Sequence, residues 1–357
     1  MSRFFSSRFA ELTPYVPGEQ PREQVLLKLN TNESPYEPSQ SILDWAASHL
    51  RPCNLYSDPD NLALRQALAK RYGVNQDEVI VSNGSDEVLN WAFAAFCDEA
   101  SPAFFADLTY GFYPVFAAAN RVPYTELPLK EDFTIDPEDY CGLKGTVFIA
   151  NPNAPTGIAL PRKAIERILQ SNTDHVVVID EAYVDFGAES CVPLIHDYSN
   201  LLVTQTFSKS RSFAGGRLGY GMGSREIISD LNTLRNSGNP YNVNNLTTAM
   251  GLAILMEDDT TRANCAAVAG CRDATADSLR KMGFEVLPSS TNFLFARHPG
   301  ISGEALYRAL KDRGILIRHF DKPRIQDFNR ITIGSAEQMS QFVSAVEQIL
   351  QSAGRSD

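Results

Sequence analysis

Residues Val176 to Tyr183 read VVVIDEAY, an unbroken apolar run closed by two carboxylates. A short, β-branched run with no polar alternation is the pattern of a strand buried on both faces, as in a parallel sheet covered by helices. A carboxylate at the inner end of such a strand is costly unless it meets a cation or a strong donor. Asp180 therefore needs a partner, and the residues around it must supply or hold one.

Outward from this stretch the same alternation repeats. Before it, VIVSNG, AFFAD and TVFIANP read as short strands, and LLVTQTF follows it. Between them lie helical patterns. LALRQALAKRY sets Leu64, Leu68 and Tyr72 four apart, DEVLNWAFAAF puts Val88, Leu89, Ala92, Phe93 and Phe96 on one side, and YGFYPVFAAAN and RKAIERIL continue the series. Strands alternating with helices predict an α/β fold, a mostly parallel central sheet with helices on both faces. After about residue 245 the texture changes to a helix through TRANCAAVAGCRDATADSLRKMG and short strands FEVLP, NFLFAR, GILIR and RITIG, with helices at EALYRALKDRG and MSQFVSAVEQIL. The expected division is a large unit at residues 35–245 and a smaller α+β unit formed by 246–357 with the N-terminal arm, 1–34.

Composition narrows the function. A length of 357 residues allows a deep site, and 43% hydrophobic with 21% charged residues is ordinary for a globular chain. The net charge of −11 argues against a nucleic-acid or anionic-membrane surface, so any phosphate must meet a locally positive pocket. No apolar run reaches the roughly 18 residues of a membrane span. The six cysteines have no CxxC spacing and no histidine pairing, so no metal is expected and reduced thiols in a cytoplasmic protein fit best. The start, MSRFFSSRFAEL, lacks the apolar stretch of a secretory signal.

In open α/β sheets ligands sit beyond the carboxyl ends of the strands. Three loops in that position stand out. In SNGSDE, Gly84 lets backbone approach a ligand, and the free N–H groups at Ser85 and Asp86 open a helix suited to a phosphate; a plain helix cap by Asn83 or Ser85 is the other reading. After VVVI, Asp180 suits a protonated pyridine nitrogen and Tyr183 a ring oxygen, although a loop-capping or magnesium-binding carboxylate reads equally well from this stretch alone. In FSKSRSFAGGRLGY, Phe207 to Tyr220, a single Lys209 sits among hydroxyls and glycines, with Thr206 and Ser208 as donors and Arg217 as phosphate ligand and neighbouring cation. The glycines of GGRLGYGMG run through a strand-like segment and do not open a helix, which weakens a dinucleotide reading. A phosphate cradle, a carboxylate, a phenol, an aromatic at Tyr110 able to stack on a ring and one amine converge on pyridoxal 5′-phosphate.

With these pieces the chain resembles the fold-type I pyridoxal-phosphate enzymes, and within them the histidinol-phosphate aminotransferase group. The resemblance rests on LNTNESPY (Leu29 to Tyr36), LYSDPDNLALRQALAKRYGV (Leu55 to Val74), SNGSDE, TYGFY (Thr109 to Tyr113), NPNAPTG (Asn151 to Gly157), DEAYVDF, FSKSRSFAGGRLGY, STNF (Ser290 to Phe293), GILIR and NRITIG. It implies that Lys209 forms the Schiff base and shuttles protons, Asp180 keeps the pyridine nitrogen protonated, Tyr183 binds the ring oxygen and Tyr110 stacks on the ring. Phosphate contacts would come from Ser85, Asp86, Thr206, Ser208 and Arg217, and Tyr56 would reach into a partner subunit's site in a homodimer. The family's loop usually reads N-P-x-N-P-T-G, and its second asparagine, a ring-oxygen donor, is Ala154 here; Asn153 next door is the candidate substitute.

For substrate, the resemblance implies Arg330 as the arginine for the anionic end, Arg318 as a second arginine for a phosphate ester, Tyr15 as a residue closing over that group, and Asn32 beside them. Two planar forks suit a phosphate dianion. The activity implied is a transamination of histidine biosynthesis, from L-histidinol phosphate and 2-oxoglutarate to imidazole-acetol phosphate and L-glutamate. A decarboxylase of O-phosphothreonine and an aromatic amino acid aminotransferase share these motifs.

Overall fold

The structure, a computed structural model, describes residues 4–9, 12–20 and 27–353; parts of the N-terminal arm, including Glu11, lie outside them. Seven strands form the main sheet: β1 (Val79–Ser82), β2 (Ala103–Ala106), β3 (Tyr124–Leu127), β4 (Thr146–Ala150), β5 (Val177–Asp180), β6 (Leu201–Thr206) and β7 (Gly219–Gly223). Their spatial order is β1-β7-β6-β5-β4-β2-β3. Neighbours from β3 through β6 run parallel, and β7 is antiparallel to both β6 and β1. The VVVIDEAY run thus supplies the middle strand.

Both faces of β5 are covered, as its composition requires. Val177 and Ile179 join a core with the helices Leu62–Tyr72, Arg162–Ser171 and Asn245–Met256, whereas Val178 joins a second core on the other face. That second core is closed by α1 (Ser85–Phe96) and the helices Tyr113–Asn120 and Arg225–Gly238. The period of two along a strand divides one apolar run between two cores.

The glycines of β7 have a packing reason. A Cβ at Gly219 would come 2.2 Å from the Ser85 nitrogen, and one at Gly221 would come 2.9 Å from Val88 Cγ1. The bare strand lets α1 lie close to the sheet and brings its N-terminus over the strand ends. Two features carry weaker signals. β3 is an edge strand with three exposed residues in YTEL, and helix Asn245–Met256 joins the larger core although it begins at the expected boundary.

The smaller unit is an antiparallel sheet in the order Arg318–His319, Asn329–Thr332, Phe293–Arg297, Glu285–Val286. Helices Asp258–Lys281, Gly303–Lys311 and Ala336–Ala353 accompany it, and the core contains Leu279, Leu294, Ile331 and Phe342. The early chain returns to this unit. Leu27–Lys28 pairs in parallel with Ile315–Leu316, and the Thr332 N–H donates to the Leu29 carbonyl.

Candidate active site

Asp180 ends β5 between Ala150 of β4 and Thr204 of β6. Its carboxylate is buried; Oδ2 accepts from the Tyr113 phenol at 3.2 Å, and Oδ1 from Thr204 Oγ1 and the Ala182 N–H, both at 3.3 Å. Burial, aided by the charge of Asp86, pushes this carboxyl up to about 6. Long neutral hydrogen bonds do not replace the lost hydration, so a cation brought against Asp180 would restore its charge.

The other end of the same cavity is built for an anion. Gly84 has φ +86°, and a Cβ there would lie 2.5 Å from Arg217 Nη2. Arg217, itself at φ +52°, donates through Nη1 to Ser208 Oγ at 3.3 Å and through Nη2 to Asp86 Oδ2 at 3.4 Å. Thr206 Oγ1 donates to Ser208 Oγ at 3.0 Å and accepts from the Ser208 N–H at 3.0 Å. Ser85 begins α1, whose unpaired N–H groups face this corner. Tyr110 forms a wall and donates to Asp86 Oδ1 at 2.7 Å; burial first, then the Asp86 charge, raise its phenol well above the usual range and keep it a donor.

Lys209 lies between the two ends. Its Nζ donates to the Thr31 carbonyl at 3.1 Å and sits 5.8 Å from the centroid of the Tyr183 ring. Ser85, Asp86, Tyr110, Asp180, Tyr183, Thr206, Ser208, Lys209 and Arg217 together line about 360 Å³. A second cavity of about 610 Å³ opens on the far side of Lys209. Tyr15, Asn32, Arg318 and Arg330 line it, and Thr31, Tyr110, Ala154, Tyr183 and Lys209 belong to both.

In the second cavity Arg318 and Arg330 are direct cross-strand partners. Arg330 donates to the Asn30 carbonyl at 3.0 Å and lies 5.3 Å from the Phe293 ring centroid, and its Nε has no acceptor among the described residues. Arg318 stands 5.6 Å from the Phe320 centroid. Among the described residues neither guanidinium has a carboxylate within ion-pair distance. Tyr15 stacks on Phe112, with ring centroids 4.1 Å apart, at the mouth.

Three residues singled out in the sequence have contacts of their own within the protein. Asn153 lines neither cavity; its amide accepts from Thr109 Oγ1 and donates to the Leu108 carbonyl and Thr156 Oγ1, so it is not placed to replace the ring-oxygen donor absent at Ala154. Asn32 lines the second cavity beside Arg318 and Arg330, as expected, but is buried and spends its amide N–H on the Tyr183 hydroxyl at 2.9 Å. Tyr56 lies outside both cavities, 80% exposed and stacked on Tyr241 in a cleft with Leu55 and Leu246. Conversely, Tyr113, Thr204 and Thr31 touch Asp180 or Lys209 without having been singled out for those contacts. Tyr113 was visible only as the last letter of TYGFY, since its spacing does not say that it turns beneath the sheet end.

The sequence matches the aminotransferase class I and II family over residues 24–346. The chain belongs to that family. As a class I and II aminotransferase it uses pyridoxal 5′-phosphate and transfers amino groups. It is 47% identical to a histidinol-phosphate aminotransferase of Acinetobacter baumannii over 97% of each chain. It is 46% identical to histidinol-phosphate aminotransferase 1 of Bradyrhizobium diazoefficiens, covering 98% of this chain and 100% of that one. The solved histidinol-phosphate aminotransferase from Sinorhizobium meliloti, in complex with pyridoxal 5′-phosphate, superposes with a TM-score of 0.87 over 99% of both chains at 23% identity, a likeness of fold.

The aminotransferase cavity fits that cofactor on its own chemistry. A deeply set carboxylate stands where a pyridinium would be needed, a helix N-terminus with Ser208 and Arg217 suits a phosphate, and Lys209 lies on the wall between them. Gly84 and Gly219 keep side chains out of the cradle.

Proposed function

We propose that this aminotransferase takes the amino group of L-histidinol phosphate and passes it to 2-oxoglutarate, giving imidazole-acetol phosphate and L-glutamate in histidine biosynthesis. The observation that carries the reading is the Arg318–Arg330 pair. Like charges directly opposite on adjacent strands are unfavourable, so an anion of more than one charge would relieve the pair. The relatives named for histidinol phosphate, at 46 to 47% identity over nearly the whole chain, support the same donor.

Bound pyridoxal 5′-phosphate supplies the electron sink that makes the substrate's α proton acidic. The chain's residues do the rest. Asp180 would hold the ring nitrogen protonated, and the Ser85 and Asp86 backbone, Thr206, Ser208 and Arg217 would hold the phosphate. Tyr110 would cover the ring, and Tyr183 would donate to its oxygen. Lys209 Nζ, common to both cavities, would be the base that takes the proton from the substrate's α carbon and holds it for return. Arg318 and Arg330 seize the anionic end and Tyr15 covers it, which fixes the reacting atoms over Lys209 and keeps water out. Either amino donor, the phosphate ester or glutamate, presents an anion to the same forks.

The working assembly is a homodimer in the cytoplasm. Exposed Leu55, Tyr56 and Leu246 form an apolar face from which Tyr56 would reach a partner subunit's site, and the six cysteines carry no disulfide. Among the described residues no helix is long and apolar enough to cross a membrane. Sedimentation as a monomer at assay concentration would remove the dimer.

The test of the donor is direct. L-histidinol phosphate alone, added to cofactor-loaded protein, should convert the bound cofactor to its amine form, and 2-oxoglutarate should reverse the change. Conversion by L-phenylalanine but not by histidinol phosphate would transfer the assignment to aromatic amino acids. Carbon dioxide released from O-phosphothreonine without any keto acid would make the enzyme a decarboxylase.

A further inference from the structure

Asn32 and Tyr183 are 151 residues apart, yet the asparagine amide holds the phenol from behind. The orientation of that amide is settled by its neighbours. Thr332 Oγ1 accepts from the Asn32 backbone N–H at 2.9 Å, so its own proton goes to Asn32 Oδ1, 3.0 Å away. Asn292 Nδ2 fixes the Asn32 carbonyl at 3.0 Å. What remains is Asn32 Nδ2, which donates to the Tyr183 hydroxyl at 2.9 Å. Asn32 is 1% exposed and has φ +57°, a conformation asparagine tolerates better than most residues.

The consequence falls on Tyr183. Its oxygen is occupied as an acceptor, and its proton has no protein acceptor among the described residues. Phe293, edge-on at 5.2 Å, and Lys209 flank the ring. The proton is therefore left for a ligand in the cavity. The covalent layout of pyridoxal phosphate says which atom receives it. With the ring nitrogen at Asp180, the phosphate at Ser85 and Arg217, and the reactive carbon at Lys209, the ring oxygen lies on the side of that carbon away from the phosphate. Tyr183 lines both cavities and takes no part in the phosphate cradle, a position that fits that side.

We infer that Asn32 is a positioning residue for the cofactor's ring oxygen: it turns and strengthens Tyr183 as a donor, and thereby replaces the second donor that Ala154 lacks. A hydrogen bond received by a phenol polarises the one it gives. The ring oxygen shares a proton with the lysine-linked nitrogen, so a stronger donor to that oxygen releases the proton at lower pH. This role rests on the cofactor and not on the amino donor; inertness toward histidinol phosphate would leave it standing.

The test reads the bound cofactor's absorption against pH in the absence of substrate. Asn32→Gly keeps the positive φ and removes the amide, and the pH midpoint of the band change should rise by roughly half to one unit. In a Tyr183→Phe background the same substitution should add no further shift, and Ala154→Asn introduced beside Asn32→Gly should bring the midpoint back down. A midpoint unmoved in Asn32→Gly with cofactor still bound would overturn the inference, as would an undiminished shift in the Tyr183→Phe background. Failure of Ala154→Asn to lower the midpoint would overturn the replacement of one donor by the other. Should Asn32→Gly not fold, Thr332→Val, which frees the amide to turn, should move the midpoint the same way by less; no movement would overturn the inference equally.

Discussion

The cofactor cavity and the substrate cavity meet at Lys209 but are assembled in opposite ways. The first is made by loops that follow strands of one sheet, so each polar residue sits next to the apolar run that fixes it: Ser85 after β1, Asp180 at the end of β5, Lys209 after β6. The second is closed by pieces far apart in the chain, with Asn32 and Thr332 300 residues from each other and Arg318 facing Arg330 across two short strands. The chemistry common to a family is thus written locally, while the choice of substrate depends on long-range closure. It also separates what single substitutions should do.

Lys209→Ala should abolish exchange between glutamate and keto acid, by on the order of 10⁴-fold or more, because among the described residues Lys209 is the one lysine that lines both cavities, Lys322 lining the larger one alone. Retained exchange would break the division at its centre. Asp180→Asn should cost roughly 10²–10³-fold in kcat/KM as the charge opposite the ring nitrogen is lost. It carries a second readout in the cofactor-free protein. Asp180 titrates at about 6 in the folded chain against an ordinary 3.8, so the folded state holds the extra proton between these values and its stability falls as pH rises through that window. The Asn variant should lose this share, on the order of 3 kcal/mol, from the pH dependence of urea unfolding. Glu181, raised to about 7 by burial, titrates beside it and should keep its own slope in both proteins.

Arg318→Ala should fall last in size and sharpen the comparison most. Losing one charged fork is worth about 2 kcal/mol, or roughly 30-fold in kcat/KM, for a phosphate-bearing donor, with a smaller loss for glutamate. Equal losses for the two donors would remove the substrate-specific role of that arginine.

The fold was largely legible because its strands are apolar runs. β2, β4, β5 and β6 are buried almost throughout, and such runs read as strands without tertiary knowledge. β3 escaped because YTEL at the sheet edge has neither an apolar run nor a buried face. The glycines of β7 were recognised as strand-like, but their purpose, the close approach of α1, is a contact between segments separated by over a hundred residues. In the site, Lys209, Asp180, Tyr183 and Arg217 lie where their loops put them. Adjacency to Ala154 does not make Asn153 a substitute, because successive side chains point different ways and its amide turns to Thr109 and Leu108.

A parallel α/β sheet, a carboxylate, a lysine and an anion cradle at its strand ends, and the family can all be read from the chain's residues in order. These follow from periodicity and from the residue types a loop needs, both local properties. That Tyr113 and Thr204 hold Asp180, that two arginines face one another, and that Asn32 donates to Tyr183 emerge once the chain is folded. The physical reason is direction. A hydrogen bond depends on ångströms and angles between groups whose separation along the chain carries no information about either.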